Sequence, residues 1–445
     1  MSENICPTYH FSSVADARGL IGHLLHRTAA DGADTAKTEA LVRDILNNVR
    51  EHGLQAVTDY TQKFDCPDFR REQFTVAPKA LEEAAACIPS ADMAIIRQAA
   101  ERIRVYHEAQ KQRSWSMADS HGSILGQNVT PIDRVGLYVP GGKGGETPLI
   151  SSLLMNAIPA QVAGVKEIAV ISPPGGDGRV NAYILAAAHE LGISEVYACG
   201  SAWAVAALAY GAGDLMPVDL IAGPGNIWVT TAKRLLLGSV GIDMLAGPSE
   251  VCVIADNTAN PAWVAADMLS QAEHDPLASA VLVTNDETVA KRVLQELATQ
   301  VATLPRAEIA KASLAHWGAV IVAPDIAVCA EIVNKIAPEH LELCVADPWT
   351  LSTAIRHAGA LFLGHYAAEP MGDYFAGPNH VLPTMGTARF SSALSVDTFC
   401  KKSSVVSVNA SFANAHAASI ARLARLEGLE AHARSVETRL GGNHT

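Results

Sequence analysis

Short apolar runs alternate with helical segments along most of this chain. Most runs hold β-branched residues, and the intervening segments space their apolar positions three and four residues apart. The runs predict strands at 135–139, 167–172, 195–199, 218–222, 251–255, 280–284, 319–322, 341–345 and 360–363. The segments between them predict helices near 147–163, 180–191, 202–210, 227–237, 261–274, 286–303, 326–335 and 349–358. Such alternation is typical of parallel sheets with helices on both faces.

The two ends of the chain depart from this rhythm. Residues 15–63 and 79–113 have helical periodicity, and after residue 390 a polar stretch leads into an alanine-rich helix at 412–440. We therefore predict an α/β fold with two tandem doubly wound Rossmann-like parallel-sheet domains, N-terminal helices and a C-terminal helical tail. A cleft between two such domains is a usual place for a ligand.

Composition narrows the class of protein. The chain has 445 residues, a formal net charge of −13 and no uncharged apolar run of the roughly 18 residues that a membrane-spanning helix needs. The acidic balance disfavours nucleic acid as a partner. The start lacks the basic and apolar segments of a secretory signal, and the eight cysteines form no C-x-x-C pair. We expect a soluble cytoplasmic protein with reduced, mostly buried thiols.

Gln271 and His274 stand one helical turn apart at the end of an apolar helical pattern that Pro276 stops. An amide oxygen and an imidazole on one helix face could bind a metal or a polar substrate. An ordinary polar helix end explains the heptapeptide 270–276 equally well.

Three glycine-rich turns punctuate the first α/β unit, at 140–145, 223–226 and 247–250. Glycines there let backbone amides approach a phosphate. None is a G-x-G-x-x-G or a P-loop, so each alone is better explained as a tight turn. Together, at the carboxyl ends of neighbouring strands, they favour a nucleotide or substrate rim.

Glu339 and His340 follow Pro338, which places them on an extended segment entering a strand. A carboxylate beside an imidazole offers two proton acceptors of different basicity, as two successive deprotonations require. A solvated polar turn is the alternative.

Asp373, His380 and His432 are less specific alone, because an Asp in a glycine-containing loop and a His on a helix are common. A set of Gln271, His274, Asp373 and His432 would offer oxygen and nitrogen donors without sulfur. Such donors suit zinc in a non-thiolate site of higher coordination, or manganese or cobalt.

Seven segments together resemble the histidinol dehydrogenase family. In chain order they are GLYVPGG (136–142), AGPGN (222–226), IDMLAGPSE (242–250), MLSQAEH (268–274), APEHLEL (337–343), GDYFAGPNHVLPT (372–384) and LEGLEAH (426–432). The likeness runs from about residue 130 to the end, while the N-terminal helices fit only in length and placement.

The resemblance implies a zinc-dependent, NAD-linked enzyme that oxidises histidinol to the aldehyde and then to histidine. It implies zinc ligands at Gln271, His274, Asp373 and His432, with His340 as the base for the hydroxyl proton and Glu339 activating water. The implied substrate residues are Ser249, Gln271, His274, Glu339, His340, Asp373, His380, Glu427 and His432. The implied cofactor contacts are Tyr138, Trp203 and Asn226. In the family, the last helix reaches the cleft of a second subunit, which implies a homodimer with shared sites.

On this likeness we expect an N-terminal helical segment at 1–30, a larger domain of 31–134 with 250–390, a Rossmann-like domain at 135–249 and a dimerisation tail at 391–445. One departure is Trp203, which stands where a glutamine contacts the cofactor in GGAQA-type relatives; its ring could stack there, or the site is reshaped. Rival functions are a related dehydrogenase of another small alcohol such as a sulfonated diol, a zinc hydrolase, and a non-catalytic metal-binding protein.

Overall fold

The computed structural model describes residues 5–27, 32–142 and 147–440, so parts of the predicted N-terminal segment, first glycine-rich turn and tail lie outside it. The first elements are β1 (Thr8–His10), α1 (Arg18–Leu25), α2 (Gly32–His52), α3 (Leu54–Phe64), α4 (Pro78–Cys87), α5 (Ser90–Glu108), β2 (Trp115–Ala118) and β3 (Ile124–Pro131). The segment of helical periodicity at 79–113 contains two helices, because Pro89 forces Ile88 before it into extended backbone.

The middle of the chain forms a parallel five-stranded sheet, as the alternation predicts. Its elements are β4 (Arg134–Tyr138), α6 (Ile150–Ala163), β5 (Glu167–Ser172), α7 (Ala182–Glu190), β6 (Glu195–Ala198), α8 (Ser201–Tyr210), β7 (Leu220–Ala222), α9 (Ile227–Leu236) and β8 (Gly241–Ile242). The strand order is β6-β5-β4-β7-β8, so the winding reverses between β4 and β7. Ligands of such sheets bind at the carboxyl ends of the two strands flanking this reversal.

A second parallel sheet follows with six strands. Its elements are β9 (Glu250–Ala255), α10 (Pro261–Ala272), β10 (Ser279–Thr284), α11 (Glu287–Val301), α12 (Ala307–Trp317), β11 (Ala319–Val322), α13 (Ile326–Ile336), β12 (His340–Cys344), α14 (Pro348–Ser352), β13 (Ala360–Leu363) and α15 (Glu369–Met371). The strand order is β1-β11-β10-β9-β12-β13, with the reversal between β9 and β12. Alternate residues of β9 belong to opposite cores: Val253 packs with α10 and α11, and Ile254 with α1 and α13.

The tail is richer in structure than its polar sequence predicts. It contains β14 (Cys400–Ser407), α16 (Ala410–Leu426) and α17 (Glu430–Glu437). β14 pairs antiparallel with β3, which pairs with β2, in a three-stranded sheet that the sequence does not indicate. The helix predicted over 412–440 is a hairpin of two, broken where Gly428 has a φ of +76°.

The hydrophobic core joins the N-terminal helices to the first large sheet. Val42 of α2 and Ile96 of α5 lie in one buried cluster with Val135 of β4. The predicted domain boundaries stay a prediction, although this packing groups α2–α5 with the five-stranded sheet. Among the described residues, no helix combines the length and apolar character needed to cross a membrane.

Candidate active site

Glu339 and His340 lie at the amino end of β12, next to the reversal point of the six-stranded sheet. Helix α13 ends at Ala337, whose φ of +51° turns the chain sharply into the strand. Glu339 is 6% and His340 3% exposed, so the pair is buried and is not a solvated polar turn.

Main-chain groups of Glu250, the first residue of neighbouring β9, hold both side chains. Its N–H donates to Oε2 of Glu339 at 2.8 Å, and its carbonyl accepts a hydrogen bond from Nδ1 of His340 at 2.9 Å. An Nδ1–H donor leaves Nε2 of His340 as the basic nitrogen. That Nε2 is buried, has no hydrogen-bond partner among the described residues, and lies 3.4 Å from Oδ1 of Asp373.

Three side chains converge on one point beside this nitrogen. Ligand atoms of His340, Glu369 and Asp373 lie within 4.8 Å of one another. Asp373 is presented by a π-helical turn one helical turn after Glu369, which α15 supplies. Carboxylate oxygens and an imidazole nitrogen suit a divalent cation such as zinc or manganese.

Gln271 completes the wall of this point from the last turn of α10. Its amide lies 2.9 and 3.1 Å from the two carboxylate oxygens of Glu369 and 2.7 Å from the N–H of Glu250. The hydrogen-bond network assigns the amide nitrogen to the side of Glu369 and the oxygen to the side of Glu250. The residue is 1% exposed, so the alternative of an ordinary surface helix end does not hold for it.

Most ionisable groups of the site are carboxyl groups, and burial and mutual repulsion shift the pKa values of Glu339 and Glu369 upward. Burial raises the pKa of Glu339 to about 8. Burial by itself lowers the pKa of His340, but the carboxylates of Glu339, Asp373 and Glu369 outweigh it and raise that pKa. A divalent cation held by Asp373 would neutralise part of the carboxylate charge and so favour the neutral imidazole, whose Nε2 can accept a proton.

Two further predicted residues, His274 and His380, lie close enough to Asp373 and His340 for the charges of both to act on their imidazoles. His274 lies past the end of α10 and is exposed, with its carbonyl accepting a hydrogen bond from Arg306. His380 is half-buried, and the charge of Asp373 opposes the lowering of its pKa by burial. Ser249 precedes Glu250 and is half-buried.

The structure leaves Glu427 and His432 away from this cluster. Both are exposed on the α16–α17 hairpin, where they line a groove with Leu423 and Leu429. Within the described part of the chain, neither side chain has a hydrogen bond or ion pair, and neither belongs to the group that converges on His340.

Two predicted cofactor residues lie at the reversal point of the five-stranded sheet. Tyr138 ends β4, and its hydroxyl accepts the N–H of Ser201 at 3.2 Å. Asn226 caps α9 directly after β7, accepting the N–H groups of Trp228 and Val229. A side chain at Gly223 would place Cβ 2.0 Å from the carbonyl of Tyr138, so this turn needs glycine.

The other two glycine-rich turns do not give the predicted rim at the carboxyl ends of strands. Residues 143–146 of the first lie outside the described residues. The third precedes β9, so it lies at the amino end of that strand and not at a carboxyl end. There the N–H of Gly247 donates to the hydroxyl of Thr384 at 2.6 Å, which ties the turn to the loop that follows Asp373.

Trp203 is packed beneath helix α3. It is 4% exposed, its indole stacks on Tyr60 and Phe64 at ring distances of 5.7 and 5.5 Å, and its N–H donates to Thr61. The ring is thus part of the core between α3 and α8, and stacking on a cofactor would require α3 to move.

Sequence reasoning missed four residues of the site. Glu250 and Glu342 each sit in an apolar strand pattern, and a carboxylate inside such a run is a usable signal of a buried functional group. Glu369 lies four residues before Asp373 but carries no comparable signal. Arg27, which contacts Glu250, carries none either.

The site combines a buried base, an adjacent carboxylate and a possible cation site, and the five-stranded sheet adds a cleft of the kind that binds nucleotides. These features are typical of an α/β enzyme that removes protons from a polar substrate. The model of the family described as histidinol dehydrogenase matches residues 28–440. The chain is 63% identical over 401 residues to histidinol dehydrogenase of Nitratidesulfovibrio vulgaris, covering 90% of this chain and 92% of that one. Its identity to the Bacillus subtilis enzyme is 52% over 407 residues, with 92% and 94% covered.

A solved structure agrees with these relatives. The crystal structure of histidinol dehydrogenase from Elizabethkingia anophelis superposes with a TM-score of 0.92 at 35% identity, covering 99% of each chain. The chain belongs to the histidinol dehydrogenase family, a family of oxidoreductases.

Proposed function

We propose that the protein catalyses the NAD-linked four-electron oxidation of L-histidinol to L-histidine through L-histidinaldehyde, the last steps of histidine biosynthesis. Family membership supports the substrate and the reaction. The observation that carries the chemistry is the buried Glu339–His340 pair, with Nε2 of His340 open toward Asp373.

Zinc is the proposed metal, held by Gln271, His274, Asp373 and a His432 from a second copy of the chain. The convergence of Asp373, Glu369 and Gln271 on one buried point, without a lysine or arginine pairing with them in the described residues, supports a cation there. When bound, the metal would orient the substrate by holding its imidazole and amine.

His340 is the proposed base for the alcohol. Its Nε2 accepts the hydroxyl proton while the carbon of the alcohol transfers hydride to NAD, which gives the aldehyde, NADH and a proton. Its Nδ1–H, held by the carbonyl of Glu250, keeps the imidazole in the tautomer that this step needs.

Glu339 is the proposed base for the second oxidation. Its carboxylate takes a proton from the water that attacks the aldehyde, and the resulting hydrate transfers hydride to a second NAD to give the carboxylate. The pKa of about 8 that burial gives Glu339 lies near neutral pH, where a general base works best.

Ser249, His380 and Glu427 are the proposed remaining substrate contacts, and Tyr138, Trp203 and Asn226 the proposed NAD contacts. The place of Tyr138 and Asn226 at the reversal of the five-stranded sheet supports the cofactor assignment. The buried position of Trp203 favours a supporting role, through α3, over direct contact.

A cytoplasmic homodimer with shared sites is the proposed working form. Glu427 and His432 lie on a hairpin whose groove faces solvent in a single chain. In a dimer, the hairpin of one chain would bring these side chains to the His340 cluster of the other. The exposed Leu423 and Leu426 on the same hairpin supply apolar surface for such an interface.

The stoichiometry of NADH formation tests the function. With excess NAD, we expect two NADH for each histidinol consumed. In the same assay, His340→Asn should slow alcohol oxidation by roughly 10²–10⁴, the usual worth of a general base, while Glu339→Gln should slow oxidation of added histidinaldehyde more than that of histidinol.

A yield of one NADH per histidinol would indicate a simple alcohol dehydrogenase that stops at the aldehyde. Hydrolysis of an ester without any NADH would favour a metal-dependent hydrolase. If both variants slowed aldehyde oxidation equally and left alcohol oxidation untouched, the division of roles between Glu339 and His340 would be wrong.

A further inference from the structure

We propose that Arg27 and Glu250 form a positioning pair for catalysis, in which an arginine of the N-terminal segment holds the residue that in turn holds Glu339 and His340. The inference rests on the proposed roles of these two residues. Arg27 is two residues past the end of α1, far in sequence from every motif of the site.

Glu250 contacts the catalytic pair through its side chain as well as its main chain. Besides the bonds from its N–H to Glu339 and from His340 to its carbonyl, its carboxylate accepts the N–H of Glu339 at 3.2 Å. The other carboxylate oxygen accepts the N–H of Met385 at 2.8 Å and the guanidinium of Arg27. One residue therefore fixes the peptide before Glu339, the Glu339 carboxylate and the imidazole of His340.

Arg27 supplies the positive charge that this arrangement needs. The side chains of Arg27 and Glu250 are 2% and 4% exposed, and they form an ion pair. A buried carboxylate is costly unless it is paired, and the Glu339 carboxylate, whose pKa the charge of Glu250 raises, lies beside it. Without Arg27, two neighbouring buried carboxylates would repel each other, and either a proton or a displacement of Glu250 would have to relieve them.

A displacement of Glu250 would reach the reacting nitrogen directly. Residue 250 opens β9, whose register places Val251 opposite His340, so a shift at the start of β9 moves the carbonyl that orients the imidazole. Small errors in the placement of a catalytic base slow a reaction strongly even when the substrate still binds. The expected signature is thus a fall in kcat with little change in KM.

The test compares Arg27→Met, Arg27→Lys, Glu250→Gln and the double variant Arg27→Met/Glu250→Gln, all as purified full-length protein loaded with zinc. Arg27→Met should lower kcat about 10- to 100-fold, the usual effect of losing a partner that orients a functional residue, while KM for histidinol and zinc content stay within about threefold. Arg27→Lys should keep most activity because it keeps the charge. The double variant should regain part of the activity lost in Arg27→Met, because no unpaired buried charge remains and the single amide oxygen still accepts one of the two N–H groups, that of Glu339 or that of Met385.

Arg134→Met is the matched control. Arg134 is also a buried arginine in an ion-pair network, with Glu167 and Glu195, but at the amino end of the five-stranded sheet. It should lower the melting temperature and leave kcat of the folded protein within about twofold, as expected for distant, independent sites.

Two results would overturn the proposal: wild-type kcat in Arg27→Met, or a loss of kcat that neither Arg27→Lys nor the double variant restores. If Arg27→Met does not fold, the isosteric Glu250→Gln replaces it in the test. It should lower kcat with little change in KM, while Arg27→Lys keeps most activity. His340→Asn in the same assay separates this inference from the proposed function, since an active His340→Asn would contradict the catalytic roles themselves.

Discussion

At the scale of single residues, the protein buries carboxylates that a packed core ordinarily excludes. Glu250, Glu339 and Glu342 are each at most 6% exposed. Glu250 is paired with Arg27, whereas one oxygen of Glu342 accepts the N–H of Glu369 and the other has no partner in the described part of the chain. Burial and the neighbouring carboxyl of Asp267 raise the pKa of Glu342 well above its usual range.

Asp65 gives a test of such burial away from Glu339. It follows α3 and comes near Gly200. Its Oδ2 is buried and has no hydrogen-bond partner among the described residues, and burial raises its pKa from 3.8 to about 6. Above pH 4 the unfolded carboxyl is ionised while the folded one still resists ionisation, so the wild-type side chain destabilises the fold increasingly up to about pH 6 and constantly above it. Asp65→Asn should therefore raise the free energy of unfolding at pH 8 by on the order of 1 kcal/mol and have little effect at pH 4.

Urea unfolding at the two pH values measures the difference, with Asp68→Asn as control. Asp68 is exposed three residues further on, and its substitution should change stability by less than about 0.5 kcal/mol at either pH. An Asp65→Asn protein that is no more stable than wild type at pH 8 would mean that water or a moved neighbour solvates this carboxyl.

At the scale of elements, buried parallel strands could be predicted closely and the exposed antiparallel sheet could not. β5 spans the predicted 167–172, and β4 differs by one residue, because strands buried on both faces read as continuous apolar runs. β14 is mostly exposed, its sequence CKKSSVVS shows no such run, and its partner β3 lies far away in the chain. Local periodicity contains no information on that pairing.

Local sequence patterns likewise predicted some residues of the site and not others. Motifs indicated Glu339, His340, Gln271 and Asp373, because each motif is local and stands at a turn or the end of an element. Arg27 and Glu369 enter only through tertiary packing, when α1 and α15 meet the starts of β9 and β12.

The end of α10 places Gln271 and His274 in different surroundings. The helix stops at Ala272 before Asp275-Pro276, which leaves Gln271 in the core and His274 on an exposed turn beside it. If these two are metal ligands, chelation should abolish turnover, zinc should restore it, and His274→Asn should lose zinc and activity together. Metal content and NADH formation are measured on the same samples, with His52→Asn, an exposed histidine ending α2, as control. Full activity of metal-free protein would contradict the assignment.

At the scale of the whole molecule, the tail leaves apolar surface uncovered. Val406 of β14 and Leu423 and Leu426 of α16 are 69%, 61% and 65% exposed, although their elements pair and pack on their other sides. Leu423 shares one groove with Ile420 and Leu429, and grouped apolar surface of this kind marks an interaction site more often than a free surface. The proposed zinc ligand His432 and substrate residue Glu427 lie on this same hairpin, so the surface and the missing part of the site favour one partner, a second copy of the chain.

Mixing two inactive variants tests this arrangement. One chain carries His340→Asn and the other His432→Ala, so each homodimer lacks an essential group at both sites. If the hairpin of one chain completes the site of the other, a mixed dimer combines intact His340 of one chain with intact His432 of its partner at one of its two sites. Activity should return after subunit exchange. At full exchange of an equal mixture, about a quarter of all sites should be intact, because half of the dimers are mixed and each has one good site.

Exchange is verified by mass spectrometry of chains that differ in isotope label. A fully exchanged mixture that stays inactive would show that each chain completes its own site, and the exposed groove around Glu427 would then need a different partner.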